Sequence, residues 1–280
     1  MHIFLRYTII YKEEIMLRKG GNKMSKVRVI AVTNQKGGVG KTTTAINLSA
    51  CLAAEGKKVL AVDADQQGNT TSGLGLDKNG MPVTIYDVFL GEKTINEVKQ
   101  PTCVDGLEVI PANINLTGAE IELIGNERRE YILREALAEI KDEYDFIIID
   151  CPPSLNMITV NALVAADTVL VPIQCEYFAL EGLEQLLHTV NLVKKRLNPE
   201  LEIEGIVFTM YDARTNLSLQ VVEEVKRALG KNVYRTIIPR NVRLGESPSH
   251  GLPINLYDPK SKGAEAYQLL AEEVMEKEWN

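Results

Sequence analysis

The chain has 280 residues, 45% of them hydrophobic and 25% charged, with a formal net charge of −7. That is enough apolar sequence for a substantial core, and the acidic total excludes a protein coated all over in positive charge. Nine Lys/Arg against five Asp/Glu between Gly205 and Lys262 nevertheless permit one local basic face that could meet a polyanion.

Residues 1–23, MHIFLRYTIIYKEEIMLRKGGNK, open on an apolar, aromatic burst without a small-residue cleavage site, so they do not read as a signal peptide. Lys19-Gly20-Gly21 can be encoded as a ribosome-binding sequence just upstream of the Met24 codon. The natural start is therefore expected at Met24, with residues 1–23 a non-native or disordered leader and 24–280 a single domain.

From there strands and helices alternate. Val27–Val32 (VRVIAV) reads as a β-branched strand, followed by a glycine-rich turn and a helix over Thr42–Ala54. Lys58–Val62, Phe146–Ile149, Thr168–Val171, Ile203–Phe208 and Val233–Ile238 read as further strands. Amphipathic helices are expected near Glu120–Ile140, Leu180–Lys195, Leu217–Leu229 and Lys262–Lys277. Continuous apolar strands separated by helices predict an α/β protein of three layers, a mostly parallel central sheet flanked by helices on both faces.

The first turn carries the chemistry. Asn34–Thr44 reads NQKGGVGKTTT and matches the P-loop pattern G-x-x-x-x-G-K-[ST], except that Gln35 stands where the first glycine belongs and an additional lysine, Lys36, precedes Gly37-Gly38. Strand, turn and helix in succession aim backbone N–H groups at an anion. Gly37, Gly38 and Gly40 allow close approach to phosphate oxygens, Lys41 supplies charge at the β/γ-phosphates, and the Thr42 hydroxyl can ligate Mg²⁺. Two acidic strand ends complete the pattern: Asp150 after Phe146–Ile149, and Asp63-Ala64-Asp65 after Lys58–Val62. In a parallel sheet both fall at the same carboxyl edge as the P-loop. A lone strand-end Asp is usually a cap or turn residue; two beside a P-loop point to nucleotide hydrolysis. Asp63 and Asp65 face the same way by alternation, so the sequence does not separate their roles.

The four cysteines, Cys51, Cys103, Cys151 and Cys175, are scattered without a C-x-x-C pair, which fits a reducing cytoplasm and argues against an iron–sulfur ATPase. No apolar run approaches the roughly 20 residues of a spanning helix.

Lys36-Gly-Gly-Val-Gly-Lys41-Thr-Thr, Asp63-Ala-Asp65-Gln-Gln-Gly-Asn69 and Asp150-Cys-Pro-Pro-Ser154 resemble the deviant-Walker ATPases of the ParA/MinD group. The resemblance extends through Glu176–Gly182, Met210–Thr215, Ile238–Arg243 and Glu246–Gly251, and within that group it is to the small chromosomal ParA proteins of the Soj type, from Met24 to the C-terminus. It implies a P-loop NTPase fold, ATP and Mg²⁺ as cofactors, and ATP hydrolysis in the service of chromosome or plasmid partition, with an influence on replication initiation. It further implies a cofactor site of Lys36, Gly37, Gly38, Val39, Gly40, Lys41, Thr42 and Thr43, with adenine between Met210 and the loop of Pro239 and Asn241. Lys36 reaches the partner's nucleotide in an ATP-sandwich homodimer, Lys41 serves its own, Asp65 positions the attacking water, and Thr42 and Asp150 hold the metal. Arg214 and Arg243 fall at positions that contact double-stranded DNA without sequence preference; Arg240, Lys226, Lys231, Lys260 and Lys262 could widen that patch. A ParB-type centromere-binding protein is the implied partner, and the implied location is the cytoplasm, on the nucleoid.

One departure is visible: Gln66 stands where the group usually has proline, which frees the backbone beside Asp65 and is expected to affect the hydrolysis rate modestly. A MinD-like, membrane-recruited ATPase is the main alternative. It would need a basic amphipathic C-terminal helix, whereas this chain ends AEEVMEKEWN, which anionic lipid repels despite Trp279.

Overall fold

The structure is a computed structural model that describes residues 27–176 and 179–277. The leader of residues 1–23 and Trp279 lie outside the described residues. Eight strands form one sheet: β1 (Arg28–Val32), β2 (Val59–Asp63), β3 (Gln100–Pro101), β4 (Leu107–Ile110), β5 (Phe146–Asp150), β6 (Thr168–Gln174), β7 (Glu202–Tyr211) and β8 (Val233–Pro239). Their order is β3-β4-β2-β5-β1-β6-β7-β8, parallel throughout except for β3 against β4. The two crossovers that leave β1's neighbourhood run to opposite sides, which places a crevice at the carboxyl end of β1, where ligands bind in open α/β sheets.

Alternation along the strands builds two cores. Val29, Ala31, Leu60, Val62, Ile147 and Ile149 point to one face; Ile30, Val32, Val59, Ala61 and Ile148 point to the other. The second face is covered by α1 (Lys41–Ala54) and, at the end of the chain, by the helix Lys262–Glu276. Between them in sequence come α2 (Asn69–Gly73), α3 (Ile85–Phe89), α4 (Ile95–Val98), α5 (Leu116–Glu122), α6 (Ile132–Ala138), α7 (Met157–Ala165), α8 (Ala179–Arg196), α9 (Asn216–Leu229), α10 (Val242–Glu246) and α11 (Ile254–Tyr257), so the C-terminal helix is α12. Helices α3 to α9 supply the apolar side chains over the first face. The expected three-layer α/β architecture is thus what the chain adopts.

Several local features differ from the sequence reading, β3 and β4 among them, which it did not expect. The single helix expected near Glu120–Ile140 is two short ones, α5 and α6, because Gly125-Asn126 interrupts it: the Asn126 carboxamide oxygen accepts the Arg128 N–H at 2.8 Å, a side-chain turn that competes with helical bonding. Helix α7 has no counterpart in the sequence reading because it is apolar almost all round (MITVNALVA), with Ile158, Ala162, Leu163 and Val164 buried, and so shows no amphipathic period. Strands β6 and β7 also run on to Gln174 and Tyr211, beyond Val171 and Phe208. Among the described residues, no helix is long and apolar enough to cross a membrane. The acidic helix α12 packs Ala264, Tyr267, Leu270, Ala271 and Val274 into the core.

Candidate active site

The turn between β1 and α1 forms by backbone necessity. Gly38 (φ 73°) and Gly40 (φ 87°) both occupy the left-handed region, which a side chain would strain. Gly37 and Gly38 have open space where a Cβ would stand, and both line the cavity described next. Thr209, near the end of β7, donates its hydroxyl to the Val39 carbonyl at 2.8 Å and so anchors the buried Val39. A cavity of about 500 Å³ opens over this turn, lined by Gly37, Gly38, Gly40, Lys41, Thr42 and Thr43 at one end and Met210, Pro239 and Asn241 at the other. The expected phosphate-end and adenine-end residues therefore share one cavity, with Asp65 on its wall.

The two lysines are held differently. Lys41 is buried (7% exposed), and its ammonium donates to the Lys36 carbonyl at 3.1 Å. Burial lowers its pKa, opposed by the negative charges of the Asp150 and Asp65 carboxylates. Lys36 points out of the cavity: its ammonium pairs with Glu176, just beyond β6, at 2.5 Å, and its N–H is held by the Asn34 side chain at 3.0 Å. Lys36 is not among the residues lining the cavity.

Asp63 and Asp150 are register partners on adjacent parallel strands, and both are fully buried. Burial pushes the Asp150 carboxyl up to about 7, reinforced by the charge of Asp63 and opposed by the hydroxyls of Thr70 and Thr42. Thr70 donates to Asp150 Oδ2 at 2.7 Å, while Oδ1 has no hydrogen-bond partner. A buried carboxylate oxygen left bare is costly unless something fills the place. Hard oxygen donors, Asp150 Oδ1 beside the Thr42 hydroxyl, fit a Mg²⁺ completed by phosphate oxygens and water. No cluster of three or more His/Cys/Asp/Glu that could hold a metal occurs among the described residues, so a cation here would take most of its ligands from nucleotide and water. The site residues therefore suit that ion.

The structure separates the two aspartates that alternation could not. Asp63 turns inward, taking the Thr71 N–H and hydroxyl, both at 2.7 Å, on one oxygen and the Asp65 N–H on the other at 3.3 Å. Burial raises its pKa to about 6 against those bonds. Asp65 faces the cavity, and its carboxylate accepts the Gln67 N–H at 2.9 Å. Thr70, Thr71 and Thr209 were not foreseen as site residues. The run Asn69-Thr70-Thr71 directly after Gly68 was the available signal, since α2 begins there.

At the far end, Met210 is the one non-glycine residue of positive φ (49°) among those described, an αL strain at the cavity wall. Asn241 caps α10, its side-chain oxygen accepting the Arg243 N–H at 2.8 Å, and its NH₂ remains available to meet a base edge. Arg214 and Arg243 lie just beyond β7 and β8, whose ends pair as Tyr211 with Pro239. Neither arginine is free: Arg214 (86% exposed) holds Asp212 at 2.6 Å, and Arg243 holds Glu246 at 2.8 Å with Asp258 at 3.5 Å. Lys226, Arg240, Lys260 and Lys262 are all exposed.

A parallel sheet with a glycine turn after its central strand, a buried lysine on that turn and a bare aspartate oxygen at the next strand end define a P-loop NTPase. Residues 27–203 match a family described as AAA domain. The sporulation initiation inhibitor protein Soj of Bacillus subtilis is 59% identical over 88% of this chain and 98% of its own length. The chromosome partitioning protein ParA of Myxococcus xanthus is 55% identical over 90% and 89% respectively. The crystal structure of a cobyrinic acid a,c-diamide synthase from Mycobacterium smegmatis with bound ADP and magnesium superposes with a TM-score of 0.78 at 41% identity, over 88% of this chain and 93% of that one. The chain belongs to the Soj/ParA family of chromosome-partitioning ATPases.

Proposed function

We propose that this protein is a partition ATPase whose ATP-bound form is a sandwich homodimer that binds double-stranded DNA without sequence preference, and that hydrolysis releases it. Its activity as an ATP hydrolase with Mg²⁺ and its part in chromosome partitioning follow from the family. In the proposed mechanism the backbone N–H groups from Gly37 to Thr43 and the Lys41 ammonium take the phosphates, and Thr42 and Asp150 hold the cation. Mg²⁺, when bound, neutralises phosphate charge and orients the γ-phosphoryl group. Asp65, on the cavity wall, orients the attacking water, while Met210, Pro239 and the Asn241 NH₂ receive the adenine. Arg214 and Arg243 exchange their carboxylate partners for DNA phosphates. A ParB-type protein stimulates hydrolysis, and the nucleotide-loaded dimer sits on the nucleoid in the cytoplasm; influence on replication initiation belongs to the same proposal.

The observation that carries the reading is the direction of Lys36. Its ammonium is paired with Glu176 outside its own cavity, so in this arrangement it does not serve the nucleotide of its own subunit. A charge placed there is available to a second subunit's phosphates, where it would stabilise both the dimer and the developing negative charge. Lys36→Ala should therefore retain nucleotide binding and lose the ATP-driven dimer, with DNA binding lost alongside it. Light scattering and DNA retention with and without ATP measure this, alongside ATPase rates with DNA and a basic ParB-type N-terminal peptide. A variant that dimerises normally on ATP, or wild-type rates that stay flat under every condition, would overturn the proposal.

A further inference from the structure

The loop that carries Asp65 begins as a tight turn, closed by the Gly68 N–H on the Asp65 carbonyl at 2.9 Å, with Gln66 in the second position. Proline is favoured at that position because its fixed φ matches the turn; this chain has glutamine there and forgoes that stiffness. Lys78, five residues past the end of α2 and outside every motif described above, occupies the place from which the loop can be held. Its ammonium donates to the Gln67 carbonyl and to the Asn69 side-chain oxygen, the latter at 3.4 Å, and so bridges the two residues flanking Gly68. Its stem lies against the glycine itself: a Cβ on Gly68 would come within 2.9 Å of Lys78 Cδ and 2.5 Å of the Ala112 carbonyl. Lys78 is presented by its own turn, closed by the Gly80 N–H on the Asp77 carbonyl at 3.0 Å.

The tether leads directly to the carboxylate. Gln67 receives Lys78 on its carbonyl and donates its N–H to Asp65 at 2.9 Å. Asn69, the second acceptor, lines the cavity with Asp65. An ordinary surface lysine is solvated and exchanges among partners; this one joins two acceptors across a glycine, and hydrogen bonds from a charged donor are stronger than neutral ones.

We propose that Lys78 is a positioning residue for ATP hydrolysis: by holding Gln67 and Asn69 it fixes the Asp65 carboxylate, and it supplies the rigidity that proline at position 66 would give. The inference rests on the reading of Asp65 as the group that orients the attacking water. Small misplacements of such groups cost rate rather than binding.

The test is steady-state ATPase of the full chain with Mg-ATP and DNA. Lys78→Met keeps the stem and removes the charge; kcat should fall about tenfold with KM for ATP within about twofold. Lys78→Arg should restore most of the rate. Gln66→Pro should restore it too when combined with Lys78→Met, because proline stiffens the turn by an independent route. A purely structural lysine would be indifferent to that second substitution. Unchanged kcat in Lys78→Met, or a double variant as slow as Lys78→Met, overturns the proposal. Asp65→Ala separates the layers: if it hydrolyses ATP at the wild-type rate, the role given to Asp65 falls and the tether with it. If it is inactive while Lys78→Met is fully active, the tether alone falls.

Discussion

The sheet carries buried carboxylates near both its amino and its carboxyl edge, on different strands, and the two edges are finished in opposite ways. At the amino edge Glu204 of β7 is fully buried, and every oxygen is used. Arg28 of β1 takes both carboxylate oxygens, Tyr234 of β8 donates to one at 2.6 Å, and Thr168 of β6 donates to the other at 2.7 Å. Arg28 also donates to the Val274 carbonyl of α12 at 2.7 Å, and Lys277 to the Glu204 carbonyl, so the cluster fastens the C-terminal helix to four strands. Gly205 makes room for it, since a Cβ there would meet the Tyr234 ring at 2.4 Å. At the carboxyl edge Asp150 is equally buried, has another carboxylate in register beside it and keeps one oxygen bare. A satisfied cluster is structure; one left incomplete at a stability cost is where a ligand completes it.

Substitution should expose that difference, most strongly at the amino edge. Glu204→Gln removes the carboxylate charge paired with the buried Arg28 guanidinium, and breaking one side of a buried pair costs about 3 kcal/mol. Chemical denaturation should show that loss, with ATPase rate per folded molecule unchanged. An unaltered midpoint would mean that the network is not holding the sheet's edge.

Asp150→Asn should do the reverse. Hydrolysis should fall by about a hundredfold through loss of a cation-holding carboxylate, while the nucleotide-free protein melts no lower than wild type, because a neutral amide removes a buried charge beside Asp63. The pH dependence has a defined sign. Burial raises Asp63 to about 6 and Asp150 to about 7 from an ordinary value of 3.8. Between those values the folded state holds protons that the unfolded state has lost. The contribution of the pair to stability is thus complete below 3.8 and declines as pH rises through about 6 and 7. Differential scanning across that window should show a falling melting temperature for the nucleotide-free protein, a shallower fall in Asp150→Asn, and a growing stabilisation by Mg-ADP as pH rises. Parallel slopes for the two proteins would count against the assignment.

The two edges also differ in how far they could be read from sequence. Lys41, Thr42 and the strand-end aspartates were legible because phosphate chemistry demands fixed spacing within one turn and because apolar strands announce where they end. Asp65 could be separated from Asp63 only once Thr71 was seen to occupy the latter, a contact that depends on how α2 folds back over the strand end. The Glu204 cluster left no local trace: residues 28, 168, 204 and 234 become neighbours only through the order β1-β6-β7-β8. Lys78 was silent for the same reason, since a lysine between Asp77 and Asn79 reads as a solvated turn. The helix expected over Glu120–Ile140 failed on the opposite ground, a local turn at Asn126 overriding a longer hydrophobic period.

Met210 gives the mildest test, because the carboxyl edge stores strain in the backbone as well as charge. Holding a non-glycine residue in the αL region costs about 1 kcal/mol, and glycine would relieve it, while the greater freedom of glycine in the unfolded chain takes back about 0.5–1 kcal/mol. Met210→Gly should therefore shift stability by no more than about 0.5 kcal/mol. Met210→Val, which cannot adopt that φ comfortably, should lose about 1–2 kcal/mol although valine suits a strand better. Nucleotide binding should weaken in both, since each removes the long side chain from the cavity wall, so the stability difference isolates the backbone. If valine proves the more stable of the two, the positive φ is not imposed by the fold, and the carboxyl edge is strained only by its charges.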